Sequence, residues 1–203
     1  ALDLTRPEHT VLVRRISEAL AGSSLVHAMI ARQRAEGLFR EAEDSATILI
    51  ASNVSSSELP SLVEHLRQRL ELTPALLIHA VCSGRLEFFT AAMVNLSGLD
   101  DRKVRAILAT GRPHALKALF QSVGLFGDVV GVFIEATMMW RRAARSQIPE
   151  APASVSAELL AHFRDVDGSE ALFELLHAVR KLTLTEERQK ARHYAEALTV
   201  DAA

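Results

Sequence analysis

Histidine and cysteine are the residues of this chain best able to do chemistry, and His79 and Cys82 are the first pair to weigh. They stand three apart in Leu76-Leu77-Ile78-His79-Ala80-Val81-Cys82. On a helix that spacing puts imidazole and thiol on one face, as two ligands of a zinc ion would sit. Zinc needs three or four ligands, and no second C-x-x-C or H-x-x-x-H pair supplies the rest. The pair therefore reads as a core His bonded to a backbone carbonyl beside an inert thiol, with no metal expected.

His177 offers a different chemistry. It lies in Leu175-Leu176-His177-Ala178-Val179-Arg180-Lys181, and a helical His followed by basic residues can carry a phosphoryl group between signalling proteins. Such a site wants a small residue just after the Lys, so that a response regulator can approach; here Leu182 follows. A partly exposed His on an amphipathic helix is the favoured reading.

The carboxylates point to structure before catalysis. Asp165-Val166-Asp167-Gly168-Ser169-Glu170 has the composition of a calcium loop, but its Gly is out of register and Leu176 stands where the closing Glu belongs. A turn with Ser169 as N-cap is expected instead. Glu135 sits in a very apolar stretch, yet Asp128, Glu135 and Arg142 are spaced by seven and share one helical stripe. Glu41, Glu43 and Asp44 read as a solvated helix end. Gly84-Arg85 and Gly111-Arg112 could cradle a phosphate at helix starts, though no Walker or dinucleotide spacing accompanies them. Met138, Met139 and Trp140, followed by Arg141 and Arg142, are the candidate partner-binding residues, because Met and Trp make adaptable contact surfaces. Core packing is the competing and favoured reading for the first three. No catalytic residue is assigned.

The elements that would position these groups are helices. Ser83-Gly84-Arg85 opens a helix closing at Gly98-Leu99, and Thr110-Gly111-Arg112 opens another closing at Gly124-Leu125. Helices punctuated in this way must stack on neighbours to bury their apolar faces. Thr5-Arg6-Pro7-Glu8 starts a helix ending at Gly22, and a second runs from Ser24 through Phe39. Ala46–Ala51 is read as helix despite its β-branched residues. Ser57-Glu58-Leu59-Pro60 and Thr73-Pro74 start two more, the latter apolar nearly all round and so buried on every side. A short helix follows from Asp100 to Ala109. Asp128 opens another, ending in Arg141, Arg142 and Arg145, cations that suit its own dipole. Residues 146–156, with Pro149 and Pro152, read as a linker. Helices are expected over Ala157–Val166, Ser169–Leu182 and Glu186–Leu198, the last a polar helix suited to light docking or to a dimer.

Composition bounds the rest. Of 203 residues, 49% are hydrophobic but only 5% aromatic, which suits close-packed helices better than a sheet. A net charge of −2 gives no reason to expect nucleic acid. One Cys excludes an internal disulfide framework and fits a reducing compartment. No apolar run reaches the ~18 residues a membrane span needs. The start at Ala1 fits a processed form or a piece of a longer chain.

The stretch from about Leu72 to Gly127 resembles a bacterial, mainly alphaproteobacterial family known as domain of unknown function 2336. The resemblance rests on Leu76-Leu77-Ile78-His79-Ala80-Val81-Cys82-Ser83-Gly84-Arg85-Leu86-Glu87-Phe88-Phe89-Thr90-Ala91-Ala92, on the Leu-Ser-Gly-Leu turn ending at Leu99, and on Phe120 to Leu125. Arg85 and Thr90 stand where the family pattern carries acidic residues. The resemblance implies a helical, bacterial, cytoplasmic protein and no particular activity.

The expectation is an all-α fold of stacked antiparallel helix pairs, HEAT- or solenoid-like over residues 1–145, with a linker at 146–156. Helices at 157–203 are expected to pack on the main domain or in a homodimer. The expected function is a non-enzymatic protein-interaction or regulatory module, with no cofactor. A small-molecule site or enzyme built from His79, Glu135 or His177, and phosphotransfer through His177, are the alternatives.

Overall fold

The computed structural model describes residues 32–145 and 152–200. Among these residues the chain is all helical, with nine helices and no strand. They are α1 (Arg32–Asn53), α2 (Leu59–Gln68), α3 (Pro74–Cys82), α4 (Leu86–Ser97), α5 (Asp101–Thr110), α6 (Pro113–Ser122), α7 (Val129–Arg145), α8 (Pro152–His162) and α9 (Glu170–Val200). The helix expected over Thr5–Gly22 and the start of the next lie outside the described residues.

Local chemistry sets most boundaries. The Thr73 hydroxyl accepts from Leu76 N at 3.1 Å and Asp100 from Arg102 N at 2.9 Å, capping α3 and α5 as side-chain oxygens do at helix starts. Three helices end in the same pair of backbone bonds. Gly84 N donates to Val81 O and Arg85 N to Ala80 O after α3, and Gly124 N donates to Gln121 O and Leu125 N to Phe120 O after α6. Leu70 N and Glu71 N repeat the pattern onto Arg67 O and Leu66 O after α2. This closure needs a left-handed residue, normally Gly. Gly84 (φ 72°) and Gly124 (φ 88°) fit it, whereas after α2 the position is held by Leu70 at φ 59°.

The two Gly-Arg helix entries that the sequence pairs differ in conformation. Gly84 is left-handed, but Gly111 has φ −58° and is there because a Cβ would stand 2.5 Å from Ile107 O.

The apolar α3 is the hub. Leu76, Leu77, Ile78, Ala80, Val81 and Cys82 are all buried, and α1, α4, α7, α8 and α9 pack around it. A helix with neighbours on every side needs apolar residues on every side. Phe89 of α4, Phe120 of α6 and Phe133 of α7 meet in a ring cluster with centroids 5.8–6.2 Å apart. Such aromatic contacts add to the area they bury.

The tail differs from expectation in two places. α8 begins at Pro152, so residues 152–156 are helical rather than linker, with Val155 and Ser156 fully buried. The expected break between Leu182 and Glu186 is absent, and α9 runs through it. Thr183 and Thr185 are weak helix formers, but each hydroxyl donates to the carbonyl four residues back, onto Val179 O and Lys181 O. α8 and α9 pack on each other and on α3 and α7.

Candidate functional site

The segment Met138–Arg142 joins helices. α7 carries Met139 into the core at 1% exposure and holds Met138 and Trp140 half-buried. The indole Nε1 donates to Val81 O at 2.8 Å, a second bond to a last-turn carbonyl of α3 that already accepts from Gly84 N. Arg141 reaches the end of α5. Its Nε donates to Leu108 O at 2.7 Å, Nη1 to Gly111 O at 2.6 Å, and Nη2 to Ile107 O at 2.5 Å. Arg141 therefore serves another helix's dipole, not that of α7 as the sequence led us to expect. Burial lowers its guanidinium below the usual range. Arg142 alone of the five is exposed, bonded to Glu158 at 2.7 Å and Glu135 at 3.4 Å. Glu135 and Arg142 thus share the expected stripe, while its third member, Asp128, precedes α7 and bonds Ser169 instead.

His79 and Cys82 share the hub helix and are chemically quiet. Burial lowers the His79 imidazole to about 4, so it is neutral at pH 7. Burial, with the Glu186 carboxylate nearby, pushes the Cys82 thiol up to about 12, far from the thiolate that a nucleophile or metal ligand needs. Glu186 of α9 accepts from the buried Ser156 hydroxyl of α8 at 2.9 Å, and burial raises its carboxyl. Among the described residues, no group of three or more His, Cys, Asp or Glu could hold a metal ion.

His177 is exposed on α9, and its downstream Lys181 pairs with Glu41 of α1. Glu41 thus binds the tail to the first described helix. The Asp165–Glu170 turn is the N-terminal entry of α9: Ser169 Oγ accepts from Leu172 N at 3.2 Å, as expected of an N-cap. Its second role was not legible in the sequence. Asp128, just before α7, accepts from Ser169 N at 2.6 Å and from Ser169 Oγ at 2.7 Å, clamping the tail to the body. These bonds lower the Asp128 carboxyl. At Gly168 a Cβ would meet Leu172 Cδ2 at 2.2 Å and Asp128 Oδ2 at 2.9 Å, so a larger residue would have to displace side chains of the clamp.

Sequence reasoning missed the exposed apolar side chains. Leu70 is 88% exposed, Phe126 67% and Phe173 53%. Hydrophobic periodicity assigns such residues to the core, and only the coordinates show them left outside it.

A family model described as uncharacterised protein conserved in bacteria (DUF2336) matches residues 2–175, well beyond the stretch that carries the resemblance. No curated protein and no solved structure matches the chain.

Proposed function

We propose, from the premise that this chain belongs to the DUF2336 family of uncharacterised bacterial proteins, that it is a non-enzymatic interaction or regulatory module. One observation carries the reading: apart from the exposed His177, side chains suited to chemistry are spent on holding helices together or are buried in the core. Trp140 and Arg141 occupy helix-end carbonyls, Asp128 clamps the tail, and Cys82 sits buried as a thiol. Large apolar side chains meanwhile stand uncovered. An enzyme keeps perturbed groups converging in a cleft; an interaction module keeps its anchors on the surface.

No described helix is long and apolar enough to cross a membrane. The cytoplasm is the compartment this reading assigns, and self-association through α9 belongs to it as a secondary feature. The exposure of Leu184 and Tyr194 on α9 supports the latter.

The test is co-purification of the tagged full chain from its own bacterium, with proteins and small molecules identified by mass spectrometry. A stoichiometric protein partner is expected. A bound metabolite or metal without a protein partner overturns the reading. The exposure of His177 favours phosphotransfer as the second reading; labelling with phosphoramidate that is lost in His177→Ala would establish it.

A further inference from the structure

Two exposed phenylalanines flank the Asp128–Ser169 clamp. Phe126 precedes Asp128 by two residues, and Phe173 follows Ser169 by one helical turn, with Val166 also exposed at 40%. The other rings discussed above, Phe89, Phe120 and Phe133, lie in the core, and Phe88 is buried with them. Contiguous exposed apolar side chains rimmed by polar residues mark interaction sites, whereas single ones need no explanation.

The rim is predominantly acidic. Asp165, Asp167, Glu170 and Glu174 are all exposed. None has a hydrogen-bond or ion-pair partner among the described residues. Over residues 124–130 and 163–174 the chain carries five acids against the single base Arg164, although its whole net charge is only −2. The dipole at the start of α9 accounts for Asp167 and Glu170. It accounts neither for Glu174 nor for rings left in water.

From this we infer that the Phe126–Phe173 surface docks a basic amphipathic helix of a partner protein. This deepens the interaction reading and rests on it. The apolar face of such a helix would cover the two rings while its Lys and Arg residues meet the four carboxylates. Its anchor residues i, i+4 and i+7 span about 10 Å. Phe126 and Phe173 are tied to the clamp from opposite sides, two residues before Asp128 and four after Ser169. No strand edge exists among the described residues to add a peptide by backbone pairing. The carboxylates repel phosphates, which sets this surface against nucleic acid and anionic lipid.

The test measures fluorescence anisotropy of a labelled Leu–Lys amphipathic helical peptide of about 14 residues against the full chain. Its Leu–Glu counterpart is measured alongside. The Lys peptide is expected to bind with an affinity that falls as salt rises. Phe126→Ala/Phe173→Ala should weaken it at least about tenfold with unchanged circular dichroism. Glu170→Gln/Glu174→Gln, which leaves both rings in place, should flatten the salt dependence. The Glu peptide should bind at least about tenfold more weakly. Absence of binding, full affinity in the Phe double variant, or equal binding of the Glu peptide each overturns this surface. The interaction reading itself stands or falls on what the chain carries when isolated from its own bacterium, not on this peptide.

Discussion

Removing Arg141 should destabilise the fold through a helix to which it does not belong. α5 is ten residues long and buries only Val104 completely, so it gains little from packing. Two of its last-turn carbonyls, and that of Gly111 just after it, receive guanidinium N–H bonds of 2.5–2.7 Å from Arg141. Hydrogen bonds from a charged donor contribute about 1.5–3 kcal/mol each when removed singly. The three share one side chain, and water can reach part of this helix end, so their loss does not add fully. In Arg141→Met, which keeps the packing of the stem, about 2–3 kcal/mol should be lost. For a chain of this size that is roughly 5–10 °C in Tm. Arg141→Lys, which keeps the charge and loses the planar fork, should fall between. Arg142→Ala breaks only exposed ion pairs and should cost less than about 1 kcal/mol. Urea unfolding of the four proteins, followed by far-UV circular dichroism, reads these differences as shifts in midpoint at constant slope. If Arg141→Met unfolds within about 0.5 kcal/mol of the parent, the capping argument is wrong, and Arg141 is available to a partner after all.

Leu70→Gly should raise stability by about 0.5–1 kcal/mol, because the left-handed backbone at φ 59° suits Gly and the lost side chain is already in water; a lower urea midpoint would contradict this. Stability should fall as pH drops from about 6.5 to about 4, since His79 is held at about 4 in the fold. The unfolded chain takes up that proton first and is favoured through this window, so His79→Gln should flatten it in pH-dependent melts. Asp128 acts in a lower window: its carboxyl is depressed in the fold, so its contribution is present above the unfolded carboxylate range and lost below it. Asp128→Asn should remove that acid-side loss while leaving the His79 window intact. Cys82 should resist iodoacetamide at about pH 8 until the chain is unfolded, because only thiolate reacts; rapid labelling of the native protein would refute its burial.

What could be read from the sequence was set by neighbours along the chain. Thr73, Asp100 and Ser169 cap helices with their own side chains, and Gly98 and Gly124 end them in the left-handed region. Those roles need only a few adjacent residues. The all-round apolarity of α3 likewise announced a helix enclosed by others. What depended on distant partners stayed hidden. Trp140 finds Val81, Arg141 finds Ile107, Leu108 and Gly111, and Asp128 finds Ser169 only once the helices are packed. The continuity of α9 through Thr183 and Thr185 was missed for a subtler reason: propensity counts against Thr, while its bond to the fourth carbonyl back satisfies the hydroxyl inside a helix. Leu70 shows the reverse case, a position whose backbone wants Gly and whose sequence gives no sign of it. Phe126 and Phe173, the candidate docking rings, look in sequence like any other core residues.

The claim that this chain works by contact with another protein is tested most directly by native mass spectrometry of the full chain isolated from its own bacterium at near-physiological salt. The account predicts a discrete complex of this chain with one other protein, dissociated in the Phe126→Ala/Phe173→Ala variant. A chain that flies alone, or only with a small molecule or metal ion bound, would contradict it.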